Sequence, residues 1–599
     1  MKKLSYILTV GLVSLLGLSS CNDFLTIYPN DRTIAPDFWK TKSDVQEMAT
    51  GCYHAMINSA IMERAIMWGA FRSDEIIKNE DVADTQLDNI NAVNLLPTQS
   101  INSWVQFYNV INRCNVVLEH APAVMDIDPE YTVGENQVIR GQMLALRSLC
   151  YFYLVRAFRD VPYSDIAFES DDQELYFPQS APGVVLQHCI DDLIEAEGII
   201  MKTGAYGEND WRNVGFITRD AVEAILADIY LWRAALTKSR SDYEQVVVYC
   251  DKIIEAKDAY FKKTNRDRMN VQDPYDIYHL YKGTECNAAI FGTTGARGGG
   301  NISSGNSRES ILEWQYDGTN NANSTLANYY DRQGEGSRTP RFMASKIFRS
   351  ADANANNGLS NFLYMSEHDM RYWNNVYDAG PGSEEIGFAI RKMVDRSGEI
   401  FTNETRDRSK VGNMTRNYAN YQQNWIVYRL TDIMLMKAEA LVELAADDED
   451  EEHLERAFNL VQQVYKRSLQ TTYSQDTLRF DNFKSKDRME LLVLNERERE
   501  LCFEGKRWFD LLRYNYRHIE GVDISKRMGD EDYEAPEVYS KMLDLIVRKY
   551  EGSGDAVKFK MKGEPYLYWP ILEKETKVNP LLVQNPVWKQ DETIKKVYK

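Results

Sequence analysis

The chain has 599 residues, 44% of them apolar, with 70 basic and 90 acidic side chains giving a formal charge of −20. That apolar share supports a substantial core and argues against disorder, while the length exceeds what one compact core holds, so several domains or an extended helical array are expected. The charge excludes a phosphate-tracking nucleic-acid binder and charge-driven adhesion to an anionic bilayer, both of which need basic surfaces. Neutral or weakly charged ligands fit it better.

The N-terminus reads Met1-Lys2-Lys3, an uncharged and mostly apolar run from Leu4 to Leu18, then Ser19-Ser20-Cys21. A basic end, a short apolar core and small residues before a cut make a secretory signal over 1–20, too short to span a bilayer. A cysteine directly after Leu-Ser-Ser resembles the lipobox of bacterial lipoproteins, which implies that Cys21 becomes the lipid-modified first residue of the mature protein. No other run approaches the ~18 uncharged apolar residues of a membrane span. Acyl chains on one residue hold a soluble domain to a bilayer without one.

Helical periodicity dominates the chain beyond Cys21. Asp44 to Ile57 and Trp104 to His120 read as amphipathic helices. Asn136 to Phe158 is stronger, with Ile139, Met143, Leu146, Cys150, Tyr153 and Ala157 recurring at steps of three or four. Asp160-Val161-Pro162 ends it, because proline cannot continue a helix and restricts its predecessor. Val184 to Met201, Thr218 to Ala235 and Ser241 to Ala256 come next, the last two joined by the short turn Thr237-Lys238-Ser239-Arg240 of an antiparallel pair. Trp425 to Leu444 and Leu454 to Arg467 form another pair around the acidic run Asp447 to Glu452, read as a solvated loop and helix start. Helical pairs with short turns resemble tetratricopeptide repeats, each burying its apolar face against the next. From Leu494 the alternation Glu496, Arg497, Glu498, Arg499, Glu500 has the pattern of a solvated, ion-paired helix face.

The region 260–423 differs in kind. Gly295 to Gly305, the Asn-rich Gly318 to Asn323, and Ala351 to Gly358 cannot pack a regular core and read as long surface loops. Trp314, Tyr316, Tyr329, Tyr330, Tyr364, Tyr372 and Trp373 lie among them. An aromatic ring in a polar loop can take the apolar C–H face of a pyranose while Asn, Asp and Arg pair with its hydroxyl edge. Trp314, Tyr316, Asn320, Tyr372 and Trp373 are therefore candidate ligand contacts. A second candidate loop, Trp68 to Asn91, offers Trp68, Arg72, Asp74, Asn89 and Asn91. Trp104 and Trp508 are read as core, with Arg507 and Asp510 tying helix to helix.

Catalytic and metal motifs are missing from the sequence. Beyond Cys21 the seven cysteines lie no closer than 36 positions (Cys114 to Cys150), so no CxxC pair exists, and most sit in apolar helical runs as buried thiols. The seven histidines form no HxxxH pair, and there is neither a G-x-S-x-G elbow nor a P-loop. No cofactor is expected; the sequence is silent on whether a calcium ion steadies a loop.

Against this background one segment carries a specific resemblance. Leu494 to Arg513, with its pattern ER-x-R-E-L-x-FEG-x-RWFDL-x-R, resembles the C-terminal signature of the SusD/RagB family of surface glycan-binding lipoproteins. Asn136 to Tyr163, containing RGQMLALRSLCYFYLVRAFRDVPY, resembles that family's helix ending in an aromatic run and a D-V-P turn. Thr218 to Trp232 and Tyr428 to Val442 resemble two further family helices. The tail segments Trp569-Pro570-Ile571, Asn579-Pro580 and Gln584-Asn585-Pro586 resemble its closing pattern, and Phe38-Trp39 and Gly51-Cys52-Tyr53 extend the match to 21–590.

The resemblance implies a mostly α fold, a tetratricopeptide-like helical-pair scaffold with a long loop-rich insertion. It divides the chain into the signal 1–20, an N-terminal helical region 21–259, a ligand-platform region 260–423 and a C-terminal region 424–599. It also implies a non-enzymatic protein, lipid-anchored in the outer membrane and facing outward, that takes a glycan ligand and passes it to a SusC-like TonB-dependent transporter. RagB-like peptide import is the alternative. A glycoside hydrolase is a third reading, since so many carboxylates supply pairs at workable separations, although Glu496, Glu500 and Glu504 read as a solvated row.

Overall fold

The computed structural model describes residues 38–588 except 265–275, 292–305, 331–338, 349–362, 378–387, 395–421, 470–477 and the single positions 171, 209, 284, 367, 551 and 553. Cys21, the glycine-rich 295–305 and the segment 351–358 thus lie outside the described residues.

The chain is mostly helical, and the predicted helices form close to their expected bounds, with one exception at Trp425. Val133–Phe158 begins at a capping box in which Thr132 and Glu135 satisfy each other's backbone N–H groups. From Gly141 onward every one of its residues is buried, which makes it a central helix of the array. Lys42–Met56 packs on Val105–Val124, which packs on Val133–Phe158. Pro182–Ile199, Arg219–Thr237, Arg240–Thr264, Leu430–Leu444 and Glu451–Ser468 continue the series, each against its predecessor. Lys238 takes the left-handed conformation (φ 56°) that closes one helix before the next begins. The array therefore crosses the insertion: Leu430–Leu444 lies directly on Arg240–Thr264, as antiparallel repeat pairs do.

Trp425 to Arg429 departs from expectation. It is a strand, paired antiparallel with Ser310–Trp314 (Trp314 opposite Trp425), and the helix starts only at Leu430. Trp-Ile-Val-Tyr is β-branched and aromatic, and a partner strand is at hand to take its backbone groups. Strands among the described residues occur only as four two-stranded pairs.

The larger correction concerns the charged segment. Lys486–Leu501 is a helix, but Glu496, Arg497, Glu498, Arg499 and Glu500 are all buried, as is Glu504 beyond it. Glu500 accepts from Arg429 Nη1 (2.5 Å), Arg371 Nη1 (3.0 Å), Thr431 Oγ1 (3.1 Å) and Arg467 Nη2. Glu504 accepts from Arg429 Nε (3.0 Å) and Nη2 (2.8 Å) and from Lys392 Nζ (2.7 Å). Burial by itself raises the Glu500 carboxyl, but Arg467, Arg429 and Arg371 outweigh it and hold the group well below the ordinary carboxylate range. The alternating charges are thus a hub, not a wetted face.

The Phe503-Glu504-Gly505 turn has its own requirement. Gly505 has φ 69°, and a Cβ there would lie 2.5 Å from Ala65 O; a Cβ on Gly69 would lie 1.9 Å from Gly505 O. Two backbones distant in sequence touch at this point, and only glycine admits the approach.

Replacing Glu500 by Gln keeps the shape but leaves three buried guanidinium groups facing a neutral amide. Its unfolding free energy in chemical denaturation should fall by roughly 3–5 kcal/mol, the loss seen when a buried ion pair loses one partner.

Candidate functional site

The two candidate loops do meet. Ile76–Lys78 pairs antiparallel with Phe342–Ala344, joining the N-terminal loop to the insertion. Asn79 N donates to Arg341 O (2.9 Å), Ser345 N to Glu75 O (2.9 Å) and Ser345 Oγ to Asp74 O (2.6 Å). On the outer side Arg341 Nη1 pairs with Asp84 Oδ2 at 2.9 Å, while Asp84 Oδ1 caps the helix Thr85–Asn91. Asn89 and Asn91 lie half-buried on that helix, and Tyr550 Oη donates to Asn91 O (2.8 Å). Asn320 is exposed on a turn held by Asp317, which accepts backbone N–H from Thr319, Asn320 and Asn321 at 2.8, 2.8 and 3.0 Å. Asp84, Asn89, Asn91 and Arg341 thus form a polar rim beside the paired strands, and Asn320 stands on a turn of its own.

The predicted aromatic contacts lie elsewhere. Trp68 is 0% exposed, stacks on Phe107 (5.4 Å between ring centres) and donates Nε1 to Ile101 O. Trp314 is buried on a strand whose five residues are all buried. Tyr316 is buried with its hydroxyl on Ile57 O (3.2 Å), and Tyr372 is buried edge-on to Tyr364 (5.7 Å). Trp373 belongs to the same short helix as Tyr372, and its side chain lies outside the described residues. The expectation of solvent-facing rings is therefore corrected for Trp68, Trp314, Tyr316 and Tyr372: they fasten the loops to the helices and present no face to a sugar.

Arg72 and Asp74 are corrected for the same reason. Arg72 is buried, donates to Leu567 O (2.8 Å) and Tyr566 O, and lies 4.5 Å over Trp508; burial lowers its guanidinium to about 9. Asp74 accepts Arg507 Nε (2.8 Å) and Nη2 (2.9 Å) in a fork. The core readings of Trp104 and Trp508 hold, as do the tying roles of Arg507 and Asp510, which pairs with Arg497 at 2.9 Å.

Beside Asp74 lie two carboxyls of the opposite tendency. Burial, reinforced by Glu498 and Asp74, pushes Glu75 well above its ordinary range. Burial likewise raises Glu498 to about 8, although Arg507 Nη2 lies 2.8 Å away. Among the described residues no group of three or more His, Cys, Asp and Glu side chains is arranged to hold a metal ion.

A residue that sequence reasoning passed over is the exposed tryptophan. Trp211 is 46% exposed, in the connection before Arg212–Gly215. Its neighbours in Gly-Glu-Asn-Asp-Trp-Arg-Asn are polar, but so are Glu313, Gln315 and Asp317 around the buried Trp314, so composition alone does not mark it.

Known proteins share this architecture. Residues 303–588 match the SusD family model, and residues 23–231 match a model described as "Starch-binding associating with outer membrane". The chain belongs to the SusD family. Among SusD relatives, SusD-like protein P38 of Formosa agariphila is 25% identical over 532 residues, covering 84% of this chain and 90% of that one. SusD-like protein P2 of the same organism is 22% identical over 525 residues, covering 84% and 89%. A SusD homolog from Bacteroides thetaiotaomicron superposes with a TM-score of 0.64 at 18% identity, over 93% of this chain and 99% of that one. A SusD superfamily protein from Bacteroides vulgatus gives 0.62 at 18%, over 92% and 100%. These SusD structures share the helical fold. No described helix is long and apolar enough to cross a membrane.

Two measurements check this assignment of roles. Trp314→Ala should lower unfolding free energy by roughly 3–5 kcal/mol, a core truncation, where an exposed ring would give almost no change. Stability should also be bounded on both sides of pH. Glu500, depressed in the fold, contributes stability that is full above the unfolded value near 4.5 and lost as pH falls through its folded value. Glu498, raised in the fold, contributes stability that is full below 4.5 and lost as pH rises through about 8. The thermal midpoint should decline at both ends, and Glu498→Gln should flatten the alkaline decline.

Proposed function

We propose that this protein captures glycans at the outer-membrane surface and passes them to a SusC-like TonB-dependent transporter. The observation that carries the reading is the junction of two sequence-distant loops into one rigid polar rim, in a chain whose family model is described as starch-binding and outer-membrane-associated. Pre-ordered Asp84, Asn89, Asn91, Asn320 and Arg341 supply donors and acceptors for sugar hydroxyls without first being frozen in place. Cys21 is the lipid attachment point in this reading, and the mature protein faces the exterior.

The hydrolase alternative loses its best candidates, because Glu496, Glu500 and Glu504 are buried against guanidinium and ammonium groups, and the small cavity that Glu500 lines is shared with Arg371, Arg429 and Lys392. The protein acts here as a binder. RagB-like peptide capture is separated from glycan capture by presenting both ligand classes to the same preparation.

Retention in affinity gels by a panel of polysaccharides, with peptides as the comparison, tests the reading. Binding should strengthen with oligosaccharide length, since a rim offers several weak contacts that add along one chain; length-independent binding would count against an extended rim. Cys21→Ser should release the folded protein from the membrane fraction of cells lacking the transporter. Persistent membrane association of that variant would sink the anchor.

A further inference from the structure

We propose that Trp211 is a sugar-stacking station outside the loop-rich insertion, holding one pyranose ring of a neutral glycan. The inference rests on the glycan-capture reading and names a binding site for it.

Among the tryptophans whose side chains are described, Trp211 is the exposed one, with Trp588 partly buried against the core. Trp39, Trp68, Trp104, Trp232, Trp314, Trp425, Trp508 and Trp569 are all buried, whereas Trp211 is 46% exposed. Leaving so large an apolar surface in water forgoes burial energy that the other rings gain.

Trp211 is nevertheless held firmly. Its edge packs on Phe216 (5.3 Å, 65° between planes), and Phe216 lies 4.8 Å from Tyr53 of the helical array. Gly215 lets two side chains converge on it: a Cβ there would lie 2.7 Å from Trp211 Cε3 and 2.7 Å from Gln315 Cγ. The indole is thus braced by the array through Phe216, and Gly215 leaves room for it and for Gln315, the residue after the strand. A rigid, half-exposed ring loses little freedom when a ligand settles on it.

Its surroundings are polar and already oriented. Arg212 forks onto Asp210 (Nε 3.0 Å, Nη2 2.6 Å) and lies 4.9 Å over Tyr206. Gln315 donates to Asn306 Oδ1 (2.9 Å) and accepts from Asn424 Nδ2 (3.0 Å). An apolar face with carboxylate and guanidinium groups on the adjacent residues Asp210 and Arg212 suits a pyranose, whose C–H face stacks while its hydroxyls bond outward. Arg212 is neutralised by Asp210, so the station selects no charged sugar. A protein-docking patch would need contiguous apolar surface; in this connection Met201, at 36%, is the one other large apolar side chain so exposed among the described residues.

The test compares wild type with Trp211→Ala, Trp211→Phe and Gly215→Ala, using the neutral polysaccharides of the panel, their oligosaccharides, and acrylamide quenching of tryptophan fluorescence. Oligosaccharide should shield a quenchable component in wild type that Trp211→Phe lacks. Trp211→Ala should weaken binding about ten-fold, with Trp211→Phe between the two and the thermal midpoint of both kept within about 2 °C. Gly215→Ala, which displaces the ring, should also weaken binding. Undiminished binding by Trp211→Ala overturns the station while leaving glycan capture standing. Weakening that appears only alongside a lowered midpoint overturns it too. Retention of wild type by no polysaccharide overturns the capture reading and the station together, and retention of peptides instead overturns the sugar assignment.

Discussion

The Glu500 carboxylate is the point on which the rest of the structure turns. It receives guanidinium groups from Arg371, Arg429 and Arg467, which belong respectively to the insertion, the strand that follows it and the last helix of a repeat pair. Burying such charges is tolerable only when every one finds its partner, because an unpaired ion in a low-dielectric interior costs several kcal/mol. The segments must therefore arrive together or not at all. A buried ionic hub of this kind adds little over apolar packing, and its strength lies in penalising every arrangement but one. Glu504 repeats the device with Arg429 and Lys392, so the insertion is fastened to the C-terminal signature at several places.

The same signature fixes the N-terminal loop by different chemistry. Arg507 forks onto Asp74, Trp508 carries the Arg72 guanidinium on its face, and Gly505 touches the backbone at Gly69. Because the strand Ile76–Lys78 comes within a few residues of these ties, the register of its pairing with Phe342–Ala344 is inherited from them. The polar rim is thus positioned from beneath by groups that never meet a ligand, and its order is supplied before binding.

How much of this was legible depends on the distance over which each signal acts. The helix could be read from Asn136 to Phe158 because its causes are local, apolar spacing and the proline at 162, and the Thr132–Glu135 cap starts it at Val133. The strand Trp425–Arg429 was misread as helix because its alternative partner, Ser310–Trp314, lies more than a hundred positions away. The charged run failed for the same reason: Glu500 meets Arg371 across 129 positions, and alternation alone cannot tell water from a guanidinium as the neighbour. The two candidate loops were named, whereas neither their strand pairing nor the burial of their aromatic rings was read from the sequence. Trp314 and Trp211 both sit among polar residues, yet one lies on a strand buried on both faces and the other beside a short helix at the surface. Local composition cannot separate those cases, since burial is decided by what distant segments bring to the ring.

This division explains why fold and ligand are legible to such different degrees. The residues that carry the family resemblance, Glu500, Glu504, Arg507 and Trp508 among them, are buried and committed to one another, so they report the scaffold. Groups free to meet a ligand must stay out of that commitment; Trp211, Asn320 and the Asp84–Arg341 pair occupy connections whose substitution costs the scaffold little. Stability and specificity are thus held by separate sets of side chains on one array. A signature made of buried charge identifies the architecture and is silent on the sugar, and the choice of glycan rests with the few exposed groups whose spacing the scaffold sets.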